Sequence, residues 1–424
     1  MKKALFAFLL AVLLAFSAIF TVFGQATYLL GDIDGSGALD KFDYILLKRY
    51  VMGTITVKDE QVAAGDIDRS GATDKFDYIL LKRHCMNTYT IYQTDPSLVL
   101  TQKNTVKTEN FTNVSAFSTF LSASERFALV PGLSENVVPQ GIGRNPETGY
   151  IYISSYFNGG GKASVISVLD PNGRFVAEYH VYTQDGQPFT GHMGGICVTE
   201  DYLYFSGQNI DGYYSVAEFA LADLPLSGSH DIKLDNAVKL PIHTSYLSYD
   251  SGILWVGTFY LSGSYDLGKY FNFKTESADG AMYGGYAAGF VLDGEEKRLT
   301  VPEGENYAVP DYVIATPDKV QGFTYRDGCV VLSISYGRNN NSFLDIFNVD
   351  LTDSKKNITV DGKNYPLTLL DSANRKQKIT AMCMTEGITV SADGDILVLF
   401  ESAAQKYYNS KNPTDYIWEM KVPK

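Results

Sequence analysis

Hydrophobic and polar residues follow three different patterns along the chain. Residues 4–23 form one uncharged apolar run, and Phe42 to about Met52, with its copy 34 residues later, has the apolar spacing of an amphipathic helix. Beyond residue 126, short apolar runs alternate with turns rich in Gly, Asp and Asn, which is typical of antiparallel β-strands. The pattern predicts a mostly β chain with a small α-helical region near its N-terminus.

The first apolar run has the features of a secretory signal peptide. Lys2 and Lys3 precede it, and Gly24-Gln25-Ala26 follows it with small residues at the two positions that a signal peptidase reads. We therefore predict a signal peptide over residues 1–26 and a secreted, extracellular protein. The alternative is an uncleaved anchor, since about 20 apolar residues can just span a bilayer.

Residues 31–49 recur almost unchanged at residues 65–83, with a period of 34 residues. Each copy has oxygen-bearing side chains at positions 1, 3, 5, 9 and 12 of a loop, a glycine at position 6 and a backbone carbonyl at position 7. The candidate metal ligands are Asp32, Asp34, Ser36, Ala38, Asp40 and Asp43 in the first copy and Asp66, Asp68, Ser70, Ala72, Asp74 and Asp77 in the second.

This spacing suits calcium, because Ca²⁺ is a hard cation that takes about six to eight oxygen ligands and a 12-residue loop can wrap around it. Serine at position 5 and aspartate at position 12 weaken each EF-hand-like site relative to the usual pattern. The alternative is a pair of Asp- and Gly-rich turns without metal, which two in-register copies disfavour. The repeat therefore predicts two Ca²⁺ ions.

Each loop is followed by one helix and no entering helix is evident, so residues 28–92 resemble a type I dockerin, with helices similar to those of ruminococcal-type clostridial dockerins. The resemblance implies a calcium-dependent module that binds the cohesin of a scaffoldin in a cellulosome-type assembly. The contact positions that it implies are Lys41, Phe42, Leu46, Lys48 and Arg49, with Lys75, Phe76, Leu80, Lys82 and Arg83 in the second copy. Phe42, Leu46 and their counterparts could instead pack inside the module.

The rest of the chain divides into a linker at residues 93–125, rich in Thr, Ser and Asn, and a β-domain at residues 126–424. In that domain, five units share a short apolar strand, a tight turn and a second, strongly apolar strand; they begin at Gln140, Gly194, Ser245, Gln321 and Glu386. Repeats of this kind predict a five-bladed β-propeller, closed by a strand near residues 126–130. A sixth blade within residues 262–318 and a β-sandwich are the alternatives.

Composition narrows the functional classes. With 35 Lys and Arg against 48 Asp and Glu, the chain has a formal charge of −13, which argues against a nucleic-acid binder or an anionic-membrane binder. The membrane is a partner only through an uncleaved signal segment. The four cysteines (Cys85, Cys197, Cys329 and Cys383) form no CxxC motif, so buried free thiols are preferred to disulfides.

Propeller geometry brings strand starts and strand ends together around the central channel. Glu386 and Glu401 are the carboxylates best placed for acid–base work on a glycosidic bond, with His192 as a third catalytic candidate. The substrate-binding candidates are Gln140, Tyr156, His243, Gln321 and Arg338. The alternative is that the two glutamates are ordinary channel residues. No motif indicates a cofactor or metal in this domain.

Segments such as Gly191–Ile196, Val320–Gly322 and Phe400–Ala403 are loosely similar to secreted bacterial β-propeller proteins. Together with the dockerin resemblance, this leads us to expect a scaffold- or cell-surface-associated component in which the propeller acts in polysaccharide degradation, as a carbohydrate hydrolase or lyase. The alternative is a non-catalytic propeller that binds a polysaccharide, a cell-wall glycan or a protein. Fold alone does not decide between them.

Overall fold

The computed structural model describes residues 29–423, except for residues 69–71, 90, 92–94, 96, 266, 267, 295, 353 and 355. The predicted signal peptide, residues 1–26, lies outside the described residues. Contacts divide the chain into two compact units, Met1–Pro96 and Ser97–Lys424. None of the described helices has the length and apolar character needed to cross a membrane.

The described part of the first unit contains three helices, α1 (Lys41–Val51), α2 (Asp59–Gly65) and α3 (Lys75–Cys85). The long helices α1 and α3 begin in the same way. The side chains of Asp40 and Asp74 each accept a hydrogen bond from the backbone N–H two residues later, and Asp43 or Asp77 bonds back to the cap residue. These capping boxes satisfy N–H groups that a helix start otherwise leaves without partners.

The core of this unit reflects the sequence repeat. Its buried side chains are Ile33, Leu47, Ala64, Ile67, Leu81 and Ile91, of which Ile33 and Ile67 are counterparts, as are Leu47 and Leu81. The rings of Tyr44 and Tyr78, also counterparts, stack at a centroid distance of 5.8 Å. The two copies therefore pack against each other through equivalent residues.

Among its described residues, the second unit consists mainly of β-strands, with short 3-10 helices and one α-helix, α4 (Ser118–Ala123). The first strands are β1 (Ser124–Leu129), β2 (Val137–Arg144), β3 (Ile151–Phe157), β4 (Val165–Leu169), β5 (Phe175–Thr183), β6 (Ile196–Val198), β7 (Tyr202–Ser206), β8 (Tyr214–Ala220), β9 (Gly228–Leu234), β10 (Ala237–Leu240), β11 (Tyr246–Asp250) and β12 (Ile253–Gly257). The remaining strands are β13 (Thr275–Glu276), β14 (Met282–Tyr283), β15 (Gly285–Val291), β16 (Tyr312–Thr316), β17 (Val320–Arg326), β18 (Cys329–Ile334), β19 (Ser342–Asn348), β20 (Lys356–Val360), β21 (Lys363–Leu369), β22 (Arg375–Ala381), β23 (Thr385–Val390), β24 (Ile396–Phe400) and β25 (Tyr416–Met420).

Five sheets form the blades of a β-propeller, which confirms the predicted fold. Blade 1 has the order β2-β3-β4-β5-β9, blade 2 β6-β7-β8-β10, blade 3 β11-β12-β15-β16-β21-β20, blade 4 β17-β18-β19-β22 and blade 5 β23-β24-β25-β1. The innermost strands β2, β6, β11, β17 and β23 pack against one another in that order, and β23 returns to β2. Residues 262–318 add strands to blade 3 and a small β13–β14 hairpin, so the described part of this stretch holds no sixth blade.

Blade 5 closes the ring with strands from both ends of the domain. β1 pairs antiparallel with β25, from Ser124 opposite Met420 to Leu129 opposite Tyr416. This is the closure that the sequence predicts near residues 126–130. Because the first and last strands share a sheet, opening the ring requires breaking a strand pair.

Small residues near the start of each unit have a steric reason. A Cβ atom on Gly387 would lie 2.8 Å from the backbone nitrogen of Ile142, and one on Gly322 would lie 2.8 Å from the backbone nitrogen of Ile388. The innermost strands therefore approach one another too closely for a larger side chain at these positions.

Much of the predicted linker, residues 93–125, packs on the propeller, so the prediction of a free tether is wrong for residues 97–123. Leu100, Phe111, Phe117 and Phe120 are fully buried in the propeller unit. Buried carboxylates hold the backbone of this segment: Glu178 accepts hydrogen bonds from the N–H groups of Val99 and Leu100, and Asp415 accepts from those of Thr105 and Val106. The apolar residues are too widely spaced to produce a periodic signal.

All four cysteines are free thiols. Cys197 and Cys383 are buried, Cys329 is half-buried and Cys85 is exposed at the end of α3. Burial raises the pKa of the Cys197 thiol well above its ordinary value, so it packs as a small apolar side chain.

Candidate functional site

Each Asp-rich loop brings three carboxylates together. In the first loop, one oxygen each of Asp32, Asp34 and Asp43 lie within 4.8 Å of one another. Asp66, Asp68 and Asp77 form the equivalent cluster in the second loop. Three like charges at this spacing repel strongly, and a divalent cation with oxygen ligands removes that repulsion. The donor set therefore fits Ca²⁺.

Backbone hydrogen bonds fix the carboxylates of the first loop. Asp43 accepts from the N–H groups of Ile33 and Asp34, at 2.7 and 3.0 Å, and Asp32 accepts from that of Gly37 at 2.8 Å. Gly37 has a φ of +80°, which glycine adopts readily and which the sharp turn at loop position 6 requires. In the second loop, burial and the neighbouring Asp68 and Asp66 charges raise the pKa of Asp77 to about 6, although backbone hydrogen bonds oppose them.

The other predicted ligands lie at the edges of these clusters. Asp40 and Asp74 cap α1 and α3 by accepting from the N–H groups of Phe42 and Phe76, each at 2.7 Å. The Ser36 hydroxyl donates to the carbonyl of Ala38 at 3.3 Å. Ser70 lies outside the described residues. A metal-binding role for the Asp40 and Asp74 carboxylates stays a prediction.

The predicted cohesin-binding positions divide into exposed and half-buried residues. Phe42 and Phe76 are 55% and 54% exposed, and all six predicted lysines and arginines are exposed. Leu46 and Leu80 instead pack partly against the core of the unit. Four further exposed apolar residues were missed: Ile45, Met52, Ile79 and Met86. Their spacing of three and ten residues from the phenylalanine, which places them on the same helix face, is the signal that could have found them.

In the propeller, a cleft of about 700 Å³ lies over the central channel. All five blades or the loops between them contribute to it, and seven of the eight predicted catalytic and substrate-binding residues line it: Gln140, His192, His243, Gln321, Arg338, Glu386 and Glu401. The eighth, Tyr156, stacks on the ring of His192 at a centroid distance of 4.3 Å. The repeat thus brings these residues together at the channel mouth.

Glu386 and Glu401 are in hydrogen-bonding contact. Glu386 is the second residue of β23, and Glu401 follows β24, its hairpin partner. Gln321 Nε2 donates to Glu386 Oε1 at 3.1 Å, and Gln140 Nε2 donates to Glu401 Oε2 at 2.9 Å. We call these two glutamates the carboxyl pair.

Burial dominates the electrostatics of the carboxyl pair. It raises the pKa of Glu386 well above its ordinary value, and the neighbouring Glu401 charge adds to this effect. Burial also raises the pKa of Glu401, to about 7, although hydrogen bonds and the nearby Lys406 charge oppose it. The pair is therefore best described as two carboxyl groups that share a proton near neutral pH.

The contact within the pair bears on its predicted chemistry. Glycosidases separate their two carboxyl groups by about 5–5.5 Å for retention or about 6.5–9.5 Å for inversion, because a sugar or a water must fit between them. Hydrogen-bonded carboxyl groups are closer than either value. The arrangement of the carboxyl pair therefore matches neither spacing.

A second polar network runs beside the pair. Lys406 Nζ donates to the Tyr156 hydroxyl at 2.6 Å and lies 5.1 Å from the centre of the Tyr407 ring. Burial, with the Lys406 charge, lowers the pKa of His192. Lys406 and Tyr407 could not be predicted because they lie in a 3-10 helix, Gln405–Tyr407, between β24 and β25, where the sequence has no repeat signature.

His243 has a partner of its own, since its Nε2 lies 2.8 Å from the Tyr214 hydroxyl. Neither His192 nor His243 belongs to a cluster of three potential metal ligands within the part of the chain that the structure describes. The cleft therefore offers amide, imidazole, phenol, guanidinium and carboxyl groups.

Comparison with known proteins identifies the first unit. Residues 30–85 match the family Dockerin type I domain. No curated protein shows significant sequence similarity to the chain.

Solved structures similar to the chain are distant. A PQQ-bound aldose sugar dehydrogenase from Streptomyces coelicolor is 13% identical, with 70% of this chain and 96% of that chain covered and a TM-score of 0.41. A GH43_1 enzyme from Xanthomonas citri complexed with xylose is 14% identical, with coverages of 72% and 92% and a TM-score of 0.38. The tail fiber of Staphylococcus aureus phage P68 is 12% identical, with coverages of 67% and 49% and a TM-score of 0.35. Similarities this low carry no functional assignment. Residues 30–85 therefore form a type I dockerin domain, and the chain continues into a five-bladed β-propeller.

Proposed function

We propose that this protein is a secreted component of a cellulosome-type assembly, which binds the cohesin of a scaffoldin through its dockerin and displays a carbohydrate-binding propeller. Dockerin domains bind calcium and dock to cohesins. We propose two Ca²⁺ ions, a cohesin-binding face on the two capped helices, and a carbohydrate as the ligand of the cleft.

The duplicated carboxylate cluster is the observation that carries the docking proposal. Each cluster would hold one Ca²⁺, and each is followed by a capped helix whose outer face combines an exposed phenylalanine with lysine and arginine. Calcium would join the loop to the first turn of the helix through Asp43 or Asp77. It would thereby fix the orientation of the face that contacts the cohesin.

The composition of the channel cleft supports carbohydrate as the ligand. Sugars are recognised by aromatic rings that stack on their apolar faces and by polar groups that bond their hydroxyls. The cleft has rings from Tyr214, Phe259, Tyr265, Tyr336 and Tyr407, and amides from Gln140 and Gln321. Because the carboxyl pair is in contact, we favour the non-catalytic alternative over a hydrolase or lyase.

A binding assay with a panel of cohesins tests the docking proposal. The full chain should bind its cohesin in CaCl₂ and not in EGTA, and Asp32→Ala/Asp66→Ala should lose binding in calcium. Asp59→Ala/Glu60→Ala is the matched control, since it also removes two acidic groups, from exposed positions in α2 outside the loops. Unchanged affinity of the Asp32/Asp66 variant would contradict calcium-dependent docking.

Glycan binding and glycan cleavage, measured on the same protein, test the proposal for the propeller. Gln321→Ala should weaken glycan binding, whereas Gln187→Ala, on an exposed turn away from the cleft, should not. Reducing sugar should not accumulate. Turnover that Glu386→Gln abolishes would contradict the binding assignment and restore the acid–base interpretation of the carboxyl pair.

A further inference from the structure

The channel cleft is not the only concave surface on this face of the propeller. A second cleft, of about 550 Å³, adjoins it, and both are lined by Ser335 and Tyr336. These residues begin the loop 335–341 between β18 and β19, which we call the ridge loop. Arg338 of this loop lines the channel cleft, and its three asparagines, Asn339, Asn340 and Asn341, line the second cleft.

Hydrogen bonds hold the ridge loop in place. Ser342 Oγ lies 3.0 Å from Ser335 Oγ across the base of the loop, and Asn340 Nδ2 donates to the Tyr336 carbonyl at 2.8 Å. Arg338 Nη1 donates to Asn409 Oδ1 at 3.0 Å, which ties the loop to blade 5. The wall between the two clefts is therefore a built feature of the fold.

Tyr336 presents an open ring on this wall. It is 48% exposed, and Lys319 Nζ lies 5.8 Å from its ring centre. Lys319 has a φ of +69°, an unfavourable conformation for a residue other than glycine, and Met193 and Met384 of the channel cleft have φ values of +50° and +65°. Strain of this kind is retained where the surrounding structure imposes it, often at binding sites.

The second cleft is positively charged, although the chain as a whole is negatively charged. Its charged lining residues are Lys319 and Lys411, and it has no acidic lining residue, although the chain carries a formal charge of −13. The Asp318 carboxylate beside the cleft is close enough to interact with the Lys319 charge, which opposes the rise that burial causes in the Asp318 pKa. Arg338 adds a third cation on the other side of the ridge loop, in the channel cleft that also holds the carboxyl pair.

We propose that the two clefts together bind one acidic oligosaccharide, with uronate carboxylates at Lys319, Lys411 and Arg338 and a sugar ring stacked on Tyr336. This rests on the proposed carbohydrate-binding function and names its ligand class. Each cleft alone has the volume of a small-molecule site, about 300–1,000 Å³, so two that share a wall suit a chain of several sugars. Paired cations select carboxylated over neutral sugars.

Isothermal titration of the full chain with two sets of hexamers tests the proposal. The probes are oligogalacturonate and oligoglucuronate against the neutral hexamers of glucose and xylose. We expect the uronates to bind at least about 10-fold more tightly, with an affinity that falls as salt is raised. Lys319→Gln/Lys411→Gln should weaken uronate binding until the preference over neutral hexamers is lost, and Tyr336→Ala should weaken the binding of both sets. Lys103→Gln, an exposed lysine outside both clefts, is the matched control.

Charge and shape are separated by one more variant. Lys319→Arg/Lys411→Arg keeps the charge and should keep the preference for uronates, and the melting temperature of each variant reports whether it folds. Equal affinity for neutral and acidic hexamers, or a preference that survives Lys319→Gln/Lys411→Gln, would overturn the acidic-ligand proposal but leave carbohydrate binding standing. Absence of binding to every hexamer would overturn both.

Discussion

The dockerin loops and the propeller cleft both gather carboxyl groups, but they neutralise them differently. In each loop three carboxylates lie within 4.8 Å, and backbone N–H groups orient them. In the cleft two glutamates contact each other, with an amide donating to each. Two carboxyl groups can share one proton, whereas three ionised groups at this spacing need a cation. The loops are therefore suited to a metal and the cleft to a proton.

Glu178 shows a third way in which the fold accommodates a buried carboxyl group. Glu178 is as buried as Glu386, yet it accepts two backbone hydrogen bonds and one from His180. Burial alone would raise the pKa of Glu178, but these hydrogen bonds outweigh it and hold the pKa below its ordinary value. Glu178 is thus an ionised anchor for the segment at residues 97–123, and burial by itself does not decide the state of a carboxyl group.

Calcium removal should have the largest effect. Without the cation, repulsion among the three carboxylates opposes loop closure, so EGTA should expose α1 and α3 to hydrogen exchange. At calcium 100-fold above its dissociation constant, each site should contribute about 2.7 kcal/mol. Mass-resolved exchange on the full chain measures this, with the propeller strands as the internal control. Equal protection of α1 and α3 with and without calcium would show that the clusters need no metal.

Replacement of the ionised anchor should have the next largest effect. Glu178→Gln keeps the size of the side chain but removes the charge and one of the two acceptor oxygens, which leaves the N–H group of Val99 or that of the buried Leu100 without its partner. We expect a loss of about 2 kcal/mol in the free energy of unfolding of the propeller, measured in urea at pH 7. Because the pKa of Glu178 is lowered in the fold, this loss should shrink as the pH falls through that value.

The loops, the blades and the cleft differ in how far they could be predicted from the sequence. The two Asp-rich loops were predictable because their carboxylates lie within 12 residues and occur twice. The five blades were predictable because each repeats a strand, a turn and a second strand. The residues of the channel cleft followed from fold geometry alone, which gave the correct face without giving contacts between Glu386 and Glu401, two residues whose separation depends on the twist of one hairpin.

No sequence pattern identifies several other residues in and around the cleft. Lys406, Tyr407 and Tyr336 lie in loops whose conformation depends on long-range contacts such as that between Arg338 and Asn409. The buried segment at residues 97–123 was mistaken for a linker because single phenylalanines in a polar stretch have no period, although each fills a separate site between strands.

The pH dependence of the propeller should reflect the carboxyl pair. Because burial raises the pKa of Glu386, and that of Glu401 to about 7, the folded state holds more protons than the unfolded state above about pH 4.3. The stabilising contribution is therefore complete below that pH and is lost as the pH rises through 7. We expect the free energy of unfolding to fall steadily between pH 5 and pH 8. Urea titrations at each pH measure this.

Other groups that face the pair set the controls for this titration. Lys406 and Tyr407 lie beside Glu401, Arg338 contacts the Tyr407 ring, and His192 lies across the cleft. Because the pKa of His192 is lowered in the fold, His192 makes the free energy of unfolding rise with pH at acid pH, which opposes the effect of the carboxyl pair. His192→Asn should therefore make the free energy of unfolding fall more steeply between pH 5 and pH 8. A stability that rises over this range in the Asn variant would contradict a shared proton.

The smallest effect should come from Glu386→Gln, and its contrast with Glu178→Gln is the sharpest test of the comparison. A protonated Glu386 donates one hydrogen bond to Glu401 and accepts one from Gln321, and a glutamine amide can do both. We therefore expect the free energy of unfolding at pH 5 to change by less than about 1 kcal/mol, and the decline toward pH 8 to become shallower, since only Glu401 would then titrate. The same substitution at Glu178 removes an ionised acceptor and gains nothing. Equal losses of stability in the two variants at pH 5 would mean that Glu178 and Glu386 have the same ionisation state. That result would contradict a proton shared between Glu386 and Glu401.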